Sequence, residues 1–254
     1  MKNIPNYFTL LNLLFGCLAI LFILQTGEQI VLLGPDGYTQ VNLPEKITWG
    51  GLCIFAAAVV DFLDGFVARL LKASSELGKQ LDSLADVVSF GVAPSMILYQ
   101  LLRIHYARQE GGLDVSIAWL LPAFLVACTA AWRLARFNVD QEQAHRFRGL
   151  PSPAAGLFVA SLPLILWKPS YGLQDYLVNG WVLYAITGLL SYLMVSRLPM
   201  MALKFTDFTW KSNRHRYLLV VIAAAALLLL KWLAVPVIVV VYVILSLAFK
   251  NEAR

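Results

Sequence analysis

Charged residues are scarce in this chain: Asp, Glu, Lys and Arg together make up 14% of its 254 residues. Soluble domains typically carry about 25% charged and roughly 45–50% apolar residues. Here the apolar share is 59% and the mean hydropathy is +0.71. That balance excludes a soluble globular protein and indicates an integral membrane protein. The apolar excess runs the whole length and leaves no stretch for a separate soluble domain, so residues 1–254 are read as one membrane domain. Histidine and cysteine are equally sparse, three of each. His105, His145 and His215 stand alone, without HxxxH-like pairing, which argues against a histidine metal site. Cys17, Cys53 and Cys128 lie inside apolar runs, match no metal-ligand spacing, and read as membrane-core filler. No Walker motif or kinase-like signature is present, so nothing calls for ATP, and no nucleic-acid partner is expected. No cleavable signal peptide is expected. The first apolar run follows a single Lys2, lacks a small-residue cleavage site before Gln25 and Thr26, and is expected to stay as the first helix.

What the chain does have is a series of apolar runs. A helix needs about 20 apolar residues to cross the hydrocarbon of a bilayer. Runs near this length lie at residues 7–25, 47–71, 80–103, 116–137, 154–168, 177–196, 217–232 and 234–249, the fifth and the last two being short. The expected fold is therefore all-α, a polytopic bundle of about eight transmembrane helices. Lys231 to Pro236 reads as a tight hairpin, with Pro236 suited to the first turn of the last helix. Fifteen of the 20 lysines and arginines fall on one side of this layout; Lys46, Arg103, Arg108, Lys168 and Lys231 fall on the other. The excess marks the cytoplasmic side. It places both termini there, together with the Arg69–Lys79, Arg136–Pro153 and Arg197–Arg216 connections. The net charge of +5 suits a face that meets anionic head groups or phosphorylated substrates. In the opposite 26–46 connection, Gly34 to Gly37 (Gly-Pro-Asp-Gly) reads as turn chemistry.

Against this background, Asp61, Asp64, Asp82 and Asp86 stand in segments that otherwise read as membrane-buried. At 100° per residue, Asp61, Asp64, Gly65 and Ala68 share an arc of about 100° at the cytoplasmic end of the second helix. Gly78, Asp82 and Asp86, spaced i, i+4, i+8, form one stripe at the start of the third, with Ser89 close to its line. The small residues let a bulky ligand approach the backbone while the carboxylates reach past it. Four carboxylates converging in a low dielectric repel one another. Divalent cations relieve that conflict, and oxygen-only ligation points to hard ions, Mg²⁺ or Mn²⁺. A divalent-cation transporter could line a cavity with the same carboxylates. It predicts broken helices or an internal repeat, and the sequence shows neither.

The complete spacing, Asp61-x-x-Asp64-Gly65-x-x-Ala68-Arg69, eight residues, Gly78-x-x-x-Asp82-x-x-x-Asp86, resembles the signature of the CDP-alcohol phosphatidyltransferase family at every fixed position. The resemblance implies that Asp61, Asp64 and Asp82 ligate metal. Asp86 then shares the second of two ions and is the candidate general base. Gly65, Ala68 and Gly78 leave room for the CDP moiety, with Asp61 and Asp64 beside it, and Arg69 contacts the pyrophosphate or nucleotide. Further segments resemble the phosphatidylserine synthase branch: Asn3 to Asn12, Asp82 to Pro94, Arg133 to Asn138, and Phe147 to Ala155. These cover most of the first 160 residues, whereas the last 90 or so are similar only in being hydrophobic. The branch implies a six-helix family core plus two C-terminal helices, CDP-diacylglycerol and L-serine as substrates, and phosphatidylserine and CMP as products. It also implies a homodimer among membrane lipids in a prokaryotic plasma membrane, with a cytoplasmic active site.

The acceptor itself stays open at the level of sequence. A guanidinium is the natural partner of serine's carboxylate, and Arg133, Arg136, Arg146 and Arg148 cluster on the cytoplasmic side. Glycerol 3-phosphate or inositol phosphate would also welcome arginines. Arg146 and Arg148 can equally be positive-inside charge, and Arg133 and Arg136 can snorkel from the end of a span. Asn138, Ser152 and Ser89 are weaker acceptor contacts. Asn6, Thr9 and Asn12 share one face of the first helix, where capping and interfacial polarity compete with a binding role.

Overall fold

Helix formation follows the apolar runs. The structure is a computed structural model that describes residues 4–25, 27, 29–34, 37–42, 46–71, 75–109, 114–139, 148–167, 172–201 and 210–249. The first run forms α1 (Ile4–Leu24) and the second α2 (Ile47–Leu70). Between them β1 (Gln29–Gly34) and β2 (Gly37–Asn42) pair antiparallel, from Gln29 opposite Asn42 to Gly34 opposite Gly37. The two glycines expected from the turn chemistry thus close a hairpin, whose residues 35 and 36 lie outside the described residues. This short ribbon is the one β-sheet among the described residues.

The third run is a continuous helix with a widened turn inside it: α3 (Glu76–Asp86), a π-helical segment (Val87–Val92), and α4 (Ala93–Ala107). The Ala93 N–H reaches five residues back to the Val88 carbonyl. Pro94 follows at once. A proline has no N–H to donate and crowds the carbonyl four residues before it, so the wider turn relieves the backbone there. Small residues let three helices close on this segment. A Cβ on Gly16 would lie 2.4 Å from Ser89 Oγ, one on Gly156 3.1 Å from Phe90 Cα, and one on Gly91 3.2 Å from Ala130 Cβ.

Single-turn 3₁₀ pieces at Ile117–Trp119 and Leu121–Phe124, with Pro122 in the second, lead into α5 (Leu125–Val139). α6 (Ser152–Trp167) is the central helix, packed against α2, α4 and the π-helical segment. It meets α2 where a Cβ on Gly51 would come within 2.6 Å of the Ala160 carbonyl oxygen. A short α7 (Gln174–Leu177) precedes α8 (Gly180–Val195), whose start is capped by Asn179 accepting from Trp181 N–H at 2.9 Å. α9 (Trp210–Leu230) and α10 (Ala234–Ala248) pair side by side through a 3₁₀ turn at Lys231–Leu233. Lys231 there takes φ 49°, the left-handed region that reverses the chain. Pro236 falls in the first turn of α10, as expected.

Among the described residues, five helical runs are long and apolar enough to cross a membrane. The last of these, Asn213–Ala248, contains the Lys231 reversal and so is a hairpin of two helices. Ser152–Trp167 and Gly180–Val195 are apolar but shorter, which matches the short fifth run of the sequence. The architecture is a polytopic membrane bundle. Its core of Ile54, Phe90, Ile97, Leu98, Leu101 and Val159 lies where α2, α4, the π-helical segment and α6 meet.

Candidate functional site

α2 and α3 present their acidic stripes to each other because each begins or ends beside α1, which packs along both. Ser75 sets the start of α3: it is extended, and its Oγ accepts from Gly78 N–H at 3.0 Å. Glu76 follows in the first turn, where the helix dipole favours negative charge. Asp82 is thereby carried to the end of α2. One carboxylate oxygen from each of Asp61, Asp64 and Asp82 lies within 4.8 Å of the others. Asp64 is only 7% exposed.

The face of α1 that carries Asn6, Thr9 and Asn12 lines this cluster. Thr9 Oγ1 donates to Asp64 Oδ2 at 2.8 Å, and Asn12 Nδ2 donates to Asp86 Oδ1 at 3.2 Å. The Ser89 hydroxyl, in the π-helical segment, donates to the Asn12 carbonyl at 3.1 Å. Asp86, also 7% exposed, stands one turn deeper than the three-carboxylate cluster and touches it through Asp61. The structure therefore joins three of the four aspartates at one point and seats the fourth behind them.

These residues fit a hard divalent cation. Asp82 Oδ1 is buried and accepts no hydrogen bond from the protein. The donor set is all oxygen, without thiolate or imidazole. Beside the cluster lies a cleft of about 220 Å³, lined by Asn6, Thr9, Asp64, Gly65, Ala68 and Asp82, with Ser75, Gly78 and Lys79 on the far wall. A Cβ on Gly65 would meet nothing within 4 Å, so that wall is open. Gly78 is tighter, with Asn6 Oδ1 and Ser75 Oγ each 3.1 Å from where a Cβ would sit. Arg69 is exposed at the rim, its Nε bonded to the Gly65 carbonyl at 2.9 Å.

The residues proposed from sequence as acceptor contacts separate into groups. Arg133 does not snorkel: it is mostly buried, and Nη1 donates to Ser152 Oγ at 3.1 Å. Its Nε is buried without a partner, and both the Asp86 carboxylate and the Tyr242 hydroxyl lie within electrostatic reach of the guanidinium. Arg136 is half-buried in the last turn of α5. Asn138 is committed elsewhere, tying α5 to α3: its Nδ2 donates to Ser83 Oγ at 2.8 Å, and its carbonyl accepts from Lys79 Nζ at 3.3 Å. Arg148 sits in a backbone bridge with Pro199, and Arg146 lies outside the described residues. Sequence reasoning missed Ser75, Lys79, Ser83 and Tyr242. Ser75-x-x-Gly78 could have been found as a helix-start signal, whereas Tyr242 carried no local signal at all.

Residues 2–203 match the model of the CDP-alcohol phosphatidyltransferase family. A CDP-diacylglycerol–serine O-phosphatidyltransferase of Mycobacterium tuberculosis is 32% identical over 208 residues, 79% of this chain and 61% of that protein. Proteins of the same name from Bacillus subtilis and Helicobacter pylori are 35% and 32% identical, covering 58% and 76% of this chain and 71% and 70% of their own lengths. The chain thus spans about three fifths of the mycobacterial relative it matches.

Proposed function

The chain belongs to the CDP-alcohol phosphatidyltransferase family, and on that premise we propose that it moves a phosphatidyl group from CDP-diacylglycerol to the hydroxyl of L-serine. The products are phosphatidylserine and CMP. The observation that carries this reading is the meeting of Asp61, Asp64 and Asp82 at one point, with Asp82 Oδ1 unpartnered, beside a cleft whose Gly65 wall is open. The names of the similar proteins favour serine as acceptor. Family membership also favours the transferase over cation transport through the same carboxylates.

In this reading Asp61, Asp64 and Asp82 hold two Mg²⁺ or Mn²⁺ ions, Asp86 sharing the second. When bound, such ions neutralise the pyrophosphate and the charge that develops as CMP departs. The protein's own groups do the rest. Gly65, Ala68 and Gly78 leave space for the nucleotide, and Arg69 turns from the Gly65 carbonyl to the phosphates. The acceptor hydroxyl attacks the lipid-side phosphorus, the bond from that phosphorus to CMP breaks, and Asp86 takes the hydroxyl proton. Asn12 holds the Asp86 carboxylate in place for that transfer. Arg133, braced on Ser152, receives the carboxylate of serine. Arg136 and Arg148 add positive charge on the same side. The whole chain works as one membrane domain, a homodimer with its site and both termini facing the cytoplasm of a prokaryotic plasma membrane.

The test is direct. Purified protein in detergent or liposomes is given CDP-diacylglycerol, Mn²⁺ or Mg²⁺, and in turn L-serine, glycerol 3-phosphate and inositol phosphate, and CMP release is measured. Release with serine alone is the expected result. Release with another alcohol but not serine reassigns the acceptor, and no release with any of them, joined to cation flux in liposomes, sinks the transferase.

A further inference from the structure

A second cavity lies at the end of the bundle opposite the acidic cluster. It measures about 340 Å³, more than the cleft of about 220 Å³ beside the aspartates, and lies between the start of α2, the ends of α4 and α6, and α7. Its Ile47 and Thr48 open α2, whereas Asp64 stands near the far end of that helix, about 25 Å away at 1.5 Å per residue. The cavity is therefore separate from the catalytic cleft. Its lining is graded. Ile47, Leu101 and Val178 are apolar and buried, while Thr48, Arg108 and Gln174 bring a hydroxyl, a guanidinium and an amide. Gln174 is tied to the last turn of α6, its Nε2 donating to the Leu166 carbonyl at 3.2 Å. The same end of the bundle carries exposed aromatic rings, with Trp49, Trp167, Tyr176 and Trp181 each more than half exposed. Such rings collect where hydrocarbon meets the head groups, and they set the cavity at that boundary.

An apolar floor below a polar rim at this depth suits a phospholipid, its chain inside and its head group at the rim. Lipid chains are as apolar as the floor, so packing there gains little over the surrounding bilayer. Selection falls to the rim. Arg108 Nη1 lies 4.0 Å from Asp175 Oδ1, and the two side chains are 58% and 97% exposed. An ion pair so long and so exposed contributes little, and both charges can turn to a ligand at small cost. The rim thus offers a cation and an anion side by side. A phosphate matches the guanidinium, and an ammonium matches the carboxylate. A head group with negative charge alone would meet Asp175 as a like charge. We propose that this cavity is a binding site for a zwitterionic phospholipid with a primary ammonium, its phosphate on Arg108 and its ammonium on Asp175. The site stands apart from the transfer reaction, and its occupancy does not depend on which alcohol is the acceptor.

Native mass spectrometry of the full chain, stripped of lipid in detergent, reads this binding without turnover. The protein is titrated with phosphatidylethanolamine, phosphatidylcholine and phosphatidylglycerol of identical chains. The first phosphatidylethanolamine is expected to bind about five-fold more tightly than either other lipid, the margin of one hydrogen bond. Arg108→Ala and Asp175→Ala should each weaken it about five-fold. Asp175→Ala should also tighten phosphatidylglycerol, because the like charge is gone. Both side chains are exposed, so the lipid-free variants should unfold at the wild-type midpoint. Thermal unfolding supplies a second reading: phosphatidylethanolamine should raise the midpoint of the wild type more than that of Arg108→Ala. Equal or tighter binding of either other lipid by the wild type overturns the proposal. So does an unchanged affinity for phosphatidylethanolamine in Arg108→Ala or in Asp175→Ala.

Discussion

Carboxylates packed into a poorly hydrated cluster cost folding energy, and a divalent cation returns more than that cost. Ligand binding to the folded state alone stabilises by about 2.7 kcal/mol at a hundred times Kd. The thermal midpoint of the protein in detergent should therefore rise with Mn²⁺, and this rise should vanish in Asp82→Asn. Without metal, Asp82→Asn should unfold no earlier than wild type, because it removes repulsion. Equal Mn²⁺ shifts in the two proteins contradict the assignment. The supporting residues on α1 carry a second expectation. Thr9→Val and Asn12→Leu each remove one bond to a carboxylate, at Asp64 and Asp86. Loss of such partners typically weakens a metal site about 10- to 100-fold, and a Mn²⁺ titration of CMP release should show it, with an unchanged requirement contradicting it. The four aspartates were legible in the sequence because helical periodicity puts residues three and four apart on one face. The common face of Asn6, Thr9 and Asn12 was equally visible. What the face does was not, because its partners come from α2 and α3, which no local pattern joins to α1.

Whole elements are positioned by close approach and by one strained reversal. A methyl group on Gly51 would press within 2.6 Å of a backbone oxygen of α6, an atom that cannot swing aside. Gly51→Ala should thus cost about 1–3 kcal/mol, as overpacking does, read as an earlier midpoint of thermal unfolding. Lys231, in the left-handed region at the α9–α10 turn, should give the opposite result. Lys231→Gly relieves roughly 1 kcal/mol of backbone strain, and a later midpoint is expected; an earlier one contradicts the account of the turn. Among the described residues, each of the eight runs read from hydropathy falls on a helical segment, because lipid burial rewards apolar length. Their ends shift where a helix continues past the lipid: the third begins at Glu76 and the seventh at Trp210, ahead of the apolar runs at 80 and 217. The π-helical turn at Val87–Val92 was not legible, since the helical stripes on its two sides read alike. Only Pro94, its neighbour, was on view, and a proline near a helix start has other uses.

At the scale of the whole molecule, the acidic cluster, the cleft and Arg133 are all near one end of the bundle, so orientation decides which compartment the site serves. The Lys/Arg asymmetry of the sequence predicts the cytoplasm. A fluorescent protein that matures only in the cytoplasm should light up when fused to the C-terminus, and a dark fusion beside a normally expressed chain contradicts that topology. The packing of α10 against the centre of the bundle could not be read from sequence, because its apolar run gives no local sign that Tyr242 and Ser246 bond to Met201. The central claim is that Asp61, Asp64 and Asp82 together hold the cations on which phosphatidyl transfer depends. The most direct test strips the purified protein with a chelator and follows CMP release from CDP-diacylglycerol and L-serine as Mn²⁺ is returned. The account predicts no release without metal, full recovery in the wild type, and no recovery in Asp61→Asn, Asp64→Asn or Asp82→Asn at any Mn²⁺ concentration. Serine-dependent CMP release by the chelated wild type, or wild-type recovery in any of the three variants, would contradict it.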